Sequence, residues 1–134
     1  MSSIFTKIIR GEIPSYKVAE DNKNIAFLDI SPIKRGHVLC VPKLEVDELF
    51  ELPMDDYNSL MSFTKRVAQS LKRVLPCKRI GSMVLGMEVP HAHIHLVPIN
   101  AEHELSFSNV KVNFSSEEMA ALAKAISDDL GSDI

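Results

Sequence analysis

The stretch HAHIHLV, residues 91–97, constrains the chain most, because it alternates two chemistries at every second residue. His91, His93 and His95 take three of the five histidines present. Successive side chains of a β-strand point to opposite faces. A strand here therefore turns the three imidazoles one way, and Ala92, Ile94 and Leu96 the other. One face makes a core; the other makes a site.

Three chemistries fit such a face. The plainest is a solvated polar surface, or histidines satisfied singly by backbone. The second is a metal centre, since neutral imidazole is a common zinc ligand. Same-face neighbours on a strand lie about 6.6 Å apart, and the outer pair about 13 Å. A straight strand cannot bring all three within the ~2.0–2.1 Å of a zinc bond, although two of them with His37 can. The third is a row of imidazoles beneath a phosphate. One neutral histidine attacks phosphorus, and its neighbours donate hydrogen bonds to non-bridging oxygens or to a leaving group. This last chemistry is the one that needs several imidazoles.

The rest of the chain supplies the frame. IFTKIIRG reads as a short helix ending at Gly11. YKVAE and NIAFLDI read as strands joined by a DNKN hairpin turn, and HVLCVP as a buried strand closed by Pro42. Tyr57, Leu60, Met61, Thr64, Val67, Ala68, Leu71 and Val74 form one apolar stripe at helical spacing, which Pro76 stops. KRIGSMVLG and HAHIHLVPI then read as adjacent strands. A last helix starts near Ser115, with Glu118 completing a capping box, and buries Met119, Leu122, Ala123, Ile126 and Leu130. Hairpins at both ends of the β run favour an α+β fold with an antiparallel sheet of about five strands, flanked by short, long and C-terminal helices.

At 134 residues and 46% hydrophobic content, one domain over 1–134 is expected. A net charge of −3 argues against a general nucleic-acid binder. No segment reads as a signal peptide or is long enough to span a bilayer. Cys40 and Cys77 have no close partner, which points to free thiols and a cytoplasmic setting.

HAHIHLV resembles the histidine-triad (HIT) signature, His-φ-His-φ-His-φ-φ. FLDISPIKRGHVLCVPK, residues 27–43, resembles a second block of that family, and IFTKIIRGEIP its N-terminal opening. The likeness covers about residues 4–99 in register, with a helical extension at about 115–130. It implies the HIT-like fold and a bacterial HIT-like member of the nucleotide hydrolase and transferase superfamily. Such proteins act at the α-phosphorus through a nucleotidyl-histidine intermediate, with no cofactor. Carried over, His93 is the nucleophile, His91 and His95 flank the phosphate and leaving group, and His37 is the fourth catalytic histidine. Asp29 matches the ribose-binding acid, and Phe5, Ile8, Phe27 and Ile30 match the base pocket. Asp29 also suits a strand-end turn before Ser31-Pro32, the apolar four also suit a core, and His37 also suits a strand start. The resemblance further implies a purine, AMP-type substrate and a homodimer; a nucleotide-binding adaptor or a dinucleoside polyphosphate hydrolase are the alternatives.

Two departures matter. Some bacterial relatives hold a structural zinc through Cys-x-x-Cys and Pro-Lys-x-His, where this chain has Ser3, Thr6 and Glu45; no zinc is expected there. The residues before the triad include Met87 and Glu88, and Met87 falls on the histidine face if the strand extends that far. Neither suits a polyphosphate leaving group, and Lys34 and Arg35 are the nearest cations in sequence.

Overall fold

The computed structural model describes residues 2–131. Met1 and residues 132–134, part of the expected domain, lie outside the described residues. Helix α1 (Ile4–Ile9) is followed by strands β1 (Lys17–Glu20), β2 (Asn24–Leu28) and β3 (Val38–Pro42). Helix α2 (Met54–Val74), strands β4 (Arg79–Met83) and β5 (Ile94–Ile99), and helix α3 (Ser116–Leu130) complete the order. The strands form one five-stranded antiparallel sheet in the order β1-β2-β3-β5-β4, so the fold is α+β as expected.

Local chemistry explains the boundaries. Asp21 Oδ1 accepts from the backbone N–H of Lys23 and of Asn24, which closes the β1–β2 hairpin. Asp55 and Asp56 in the first turn of α2, and Lys72 and Arg73 in its last, complement the helix dipole. Leu75 precedes Pro76 and is extended, φ −115°, because proline excludes the helical region for its predecessor. The Ser115–Glu118 capping box opens α3, with both bonds at 3.1 Å.

Helices α2 and α3 cover one face of the sheet. Phe63, Leu60, Val67 and Leu71 of α2 are fully buried against Ala26, Cys40, Ile94 and Leu96. Each large apolar side chain so buried contributes roughly 1.5–3 kcal/mol of transfer free energy. On the opposite face, α1 brings Phe5 onto Ile25, Phe27, Leu39 and Val41. The sheet thus separates a thick core from a thinner side that carries the histidines.

The triad segment differs from its sequence reading in one respect. The spacing predicts a strand from His91, but β5 begins at Ile94. The β3–β5 ladder stops at the Cys40–Ile94 pair. Pro42 has no N–H to extend it, and its carbonyl accepts from the His91 ring. The Ala92 N–H donates to Val46 O instead, at 2.7 Å. The alternation still holds, because Ala92, Ile94 and Leu96 all enter the thick core. Likewise β4 ends at Met83, so Met87 lies in the connecting loop, 89% exposed, rather than on a strand face.

Candidate active site

Helix α1, the turn after β2, the 84–93 loop and the segment after β5 enclose a cleft of about 510 Å³. His93 and His95 line it, with Phe5, Asp29, Glu88 and Lys111 among the other walls. That volume is in the range of small-molecule sites.

Hydrogen-bond partners fix the tautomer of each histidine. His93 Nδ1 lies 2.7 Å from the carbonyl oxygen of His91, which can only accept. The ring proton therefore sits on Nδ1, and Nε2 keeps its lone pair. His37 Nδ1 accepts from the Ile33 N–H at 3.2 Å, so neutral His37 carries its proton on Nε2. That nitrogen lies 2.9 Å from His95 Nδ1 and 3.5 Å from Asp29 Oδ2. With Nδ1 accepting from His37, His95 has its own proton on Nε2. One lining imidazole thus has a free lone pair and its neighbour an N–H, with ring centres 4.8 Å apart. Phe5 meets His93 edge-on at 4.9 Å, and Phe107 meets His95 at 4.6 Å, so neither ring turns freely.

Electrostatics keep the cluster neutral. Burial pushes His93 below the usual imidazole range, and the His91 carbonyl and Asp29 oppose it only partly. Burial, then His93, His37 and Lys111, bring His95 down to about 3. Burial also lowers His37, with Asp29 opposing. A neutral His93 is the form that can attack phosphorus, and an anion in the cleft shifts all three back upward. In the unfolded chain these rings protonate near pH 6.5. Between that value and the lower folded ones the unfolded state binds more protons, so stability rises with pH across the window. For His95 the window runs from about 3 to about 6.5. Glu45 and Glu104 add stability lost only further down, as pH falls towards about 2. The thermal midpoint is expected to fall between about pH 7 and pH 5; a flat midpoint would contradict this burial account.

His91 behaves differently from its neighbours. It is fully buried, outside the cleft walls, with Nε2 2.7 Å from Pro42 O and Nδ1 2.7 Å from Ser3 Oγ. Of the other residues singled out by sequence, Asp29 lines the cleft and also caps its own turn, accepting from the Ser31 N–H at 2.8 Å. The strand-end turn reading of Asp29 is realised in that bond. Phe5 lines the cleft, whereas Phe27 is buried behind it at 5.6 Å and Ile8 packs half-buried on the same cluster. Ile30 is 77% exposed and does not line the cleft. Met87 and Glu88 do line it. Lys34 is drawn away by Glu104 at 3.0 Å, and Arg35 is not among the lining residues. The cation that lines the cleft is Lys111, whose Nζ lies 5.2 Å from the Phe107 ring centre. Sequence reasoning missed Phe107 and Lys111, which carry no periodicity or motif to mark them.

Two clusters have donor atoms that bear on metal. Ser3, Thr6, Glu45 and His91 converge, but two of the four are hydroxyls and all are taken up in mutual hydrogen bonds. That donor set does not fit zinc, which takes thiolate, imidazole and carboxylate. Ligand-type atoms of Asp29, His37 and His95 all lie within 4.8 Å of one another.

The family model described as HIT domain matches residues 10–102. A Schizosaccharomyces pombe protein named adenosine 5′-monophosphoramidase is 33% identical over 95% of this chain and 97% of its own length. The crystal structure of a Hit-like protein from Bartonella henselae superimposes with a TM-score of 0.83 at 28% identity, covering 96% of this chain and 97% of that one. A zinc-bound histidine triad family protein from Mycobacterium smegmatis gives 0.82 at 27% identity, covering 100% and 99%.

Proposed function

The chain belongs to the HIT domain family, and from that membership we propose that it is a nucleotide hydrolase. In this reading it cleaves nucleoside 5′-monophosphate derivatives at the α-phosphorus through a nucleotidyl-His93 intermediate. The observation that carries it is the His93 Nδ1–H bond to the His91 carbonyl, which leaves Nε2 as the free lone pair of a cleft-lining ring. Nε2 forms a bond to phosphorus as the bond to the leaving group breaks, the electron pair departing with the leaving atom. Water then adds at phosphorus and the P–N bond breaks, returning the pair to Nε2. The leaving atom takes a proton from His95 Nε2 as it departs, and the attacking water returns one to that nitrogen, so one water is consumed overall and its hydroxyl goes to phosphorus. In this reading the His95 Nε2–H donates to the phosphate or the leaving atom, and the bond from His37 supports that tautomer.

Asp29 has a carboxylate in the cleft to accept from ribose hydroxyls, and Phe5 offers an apolar wall to a base, in keeping with a purine nucleotide. The S. pombe relative's name supports a phosphoramidate substrate. A nearby N–H suits an amine leaving group, whereas Met87 gives a polyphosphate no donor and Glu88 repels it. Adenosine 5′-phosphoramidate is therefore expected to give a kcat/KM larger than a diadenosine polyphosphate. Lys111→Ala should lower the dinucleotide rate more than the phosphoramidate rate, since Lys111 is the cation lining the cleft. A dinucleotide preference would overturn this assignment, and tight AMP binding without cleavage of either would mark an adaptor.

The Asp29, His37 and His95 cluster favours one second reading, a metal-dependent hydrolase. A chelator arm in the same assay separates the two: activity unchanged by chelation supports covalent histidine catalysis alone. The second chain of a homodimer would meet the sheet at β4, an edge strand with exposed Val84 and Leu85 beside it. A monomeric mass by light scattering of the assayed preparation would remove that part of the proposal. No helix among the described residues is long and apolar enough to cross a membrane.

A further inference from the structure

The His91 carbonyl that fixes the His93 tautomer is itself held by a chain of contacts reaching the protein surface. Glu45, three residues beyond the end of β3, places Oε1 2.8 Å from the Ser3 N–H and 2.5 Å from Thr6 Oγ1, accepting from both. Ser3 caps α1 by accepting from the Thr6 N–H at 3.0 Å. The Ser3 hydroxyl also lies 2.7 Å from His91 Nδ1. His91 Nε2 faces the Pro42 carbonyl, which cannot donate, so Nε2 carries the ring proton and Nδ1 accepts from Ser3. Both ring nitrogens of His91 are thus tied, one to α1 and one to the end of β3. Its carbonyl then receives the His93 Nδ1–H. Between them stands Phe5 of α1, edge-on to His91 at 5.8 Å and to His93 at 4.9 Å.

We propose that Glu45, Ser3 and Thr6 are positioning residues for His93, acting through His91 to hold the nucleophile in its Nδ1–H tautomer. This rests on the reading of His93 as nucleophile. None of the three lines the cleft, so none is expected to touch substrate. Their effect is on which nitrogen of His93 is free and where it points. If the His91 carbonyl moves away, His93 can take up its proton on Nε2, and the lone pair then faces the wrong way. An acceptor oxygen at position 45 is what the geometry requires, because both of its close partners are donors. A charge there is not required.

The test compares Glu45→Ala, Glu45→Gln, Ser3→Ala and His93→Ala with the parent. It measures kcat and KM on adenosine 5′-phosphoramidate, AMP affinity, and the His93 tautomer from imidazole 15N chemical shifts. Glu45→Ala and Ser3→Ala are expected to lower kcat roughly 10- to 100-fold, the scale of a small misplacement of a reacting group. KM and AMP affinity should change little, and the 15N spectrum should show a growing Nε2–H population at His93. Glu45→Gln keeps an acceptor oxygen and should restore most of the rate. A merely structural anchor would lower the thermal midpoint without moving the tautomer or splitting kcat from KM. Parent-like kcat and tautomer in Glu45→Ala would overturn the proposal; if that variant fails to unfold cooperatively, Ser3→Ala decides by the same readouts. Near-parent turnover in His93→Ala would instead remove the nucleophile reading, leaving the tautomer measurement to decide the positioning role.

Discussion

His93→Ala is expected to abolish turnover, by at least ~10⁴-fold in kcat, while AMP affinity stays within a few-fold of the parent. The magnitude is that of deleting a nucleophile whose neighbours act only with it. The asymmetry between binding and turnover comes from the cleft, where Asp29, Phe5 and Lys111 remain after the ring is removed. Neighbouring His95 does not substitute, because its Nδ1 is engaged by His37 and its Nε2 carries the proton. Its low affinity for a proton gives it no nucleophilic advantage either. Active protein mixed with substrate and quenched without acid should carry one nucleotide per chain, and His93→Ala none. Near-native turnover in the variant would eliminate the covalent mechanism outright.

Gly36→Ala is expected to destabilise the fold by about 2–5 kcal/mol and to reduce activity with it. Gly36 has φ +91°, in the left-handed region that disfavours a side chain by about 1–2 kcal/mol. A Cβ there would also run into Leu75 Cδ1 and come within 2.9 Å of Pro98 Cγ. Overpacking of that kind costs about 1–3 kcal/mol. Relief requires moving the backbone, and the next residue is His37, whose ring orients His95 and whose carbonyl accepts from the Asp29 N–H at 2.9 Å. Strain at Gly36 therefore reaches three cleft-side groups at once. Urea unfolding at fixed pH reads the stability term, and a variant within about 0.5 kcal/mol of the parent would mean that Leu75 and Pro98 repack freely.

Much of the frame was legible from neighbours in sequence. The hairpin at Asp21–Asn24, the Ser115–Glu118 box and the stop before Pro76 are each decided within four residues. The alternation of Ala92, Ile94 and Leu96 is periodic, and so is most of the α2 stripe, although Met61 of that stripe is 42% exposed and Phe63, outside it, is fully buried. The resemblance in three ordered blocks then named the family, which the match over residues 10–102 bears out.

What the sequence by itself determined is therefore element type, buried face and family, because each follows from local hydrogen bonding, periodicity or a motif. The tertiary structure alone decided where the triad strand begins, since that depends on Pro42 lying across the sheet from it. It set His91 apart from His93 and His95 by giving its ring to Ser3 and Pro42, although all three share one spacing. It withdrew Lys34 to Glu104, left Ile30 in solvent, and delivered Phe107 and Lys111 to the cleft from beyond β5. Such contacts join residues far apart in the chain, so no period or spacing records them, and only the packed sheet brings their partners into reach.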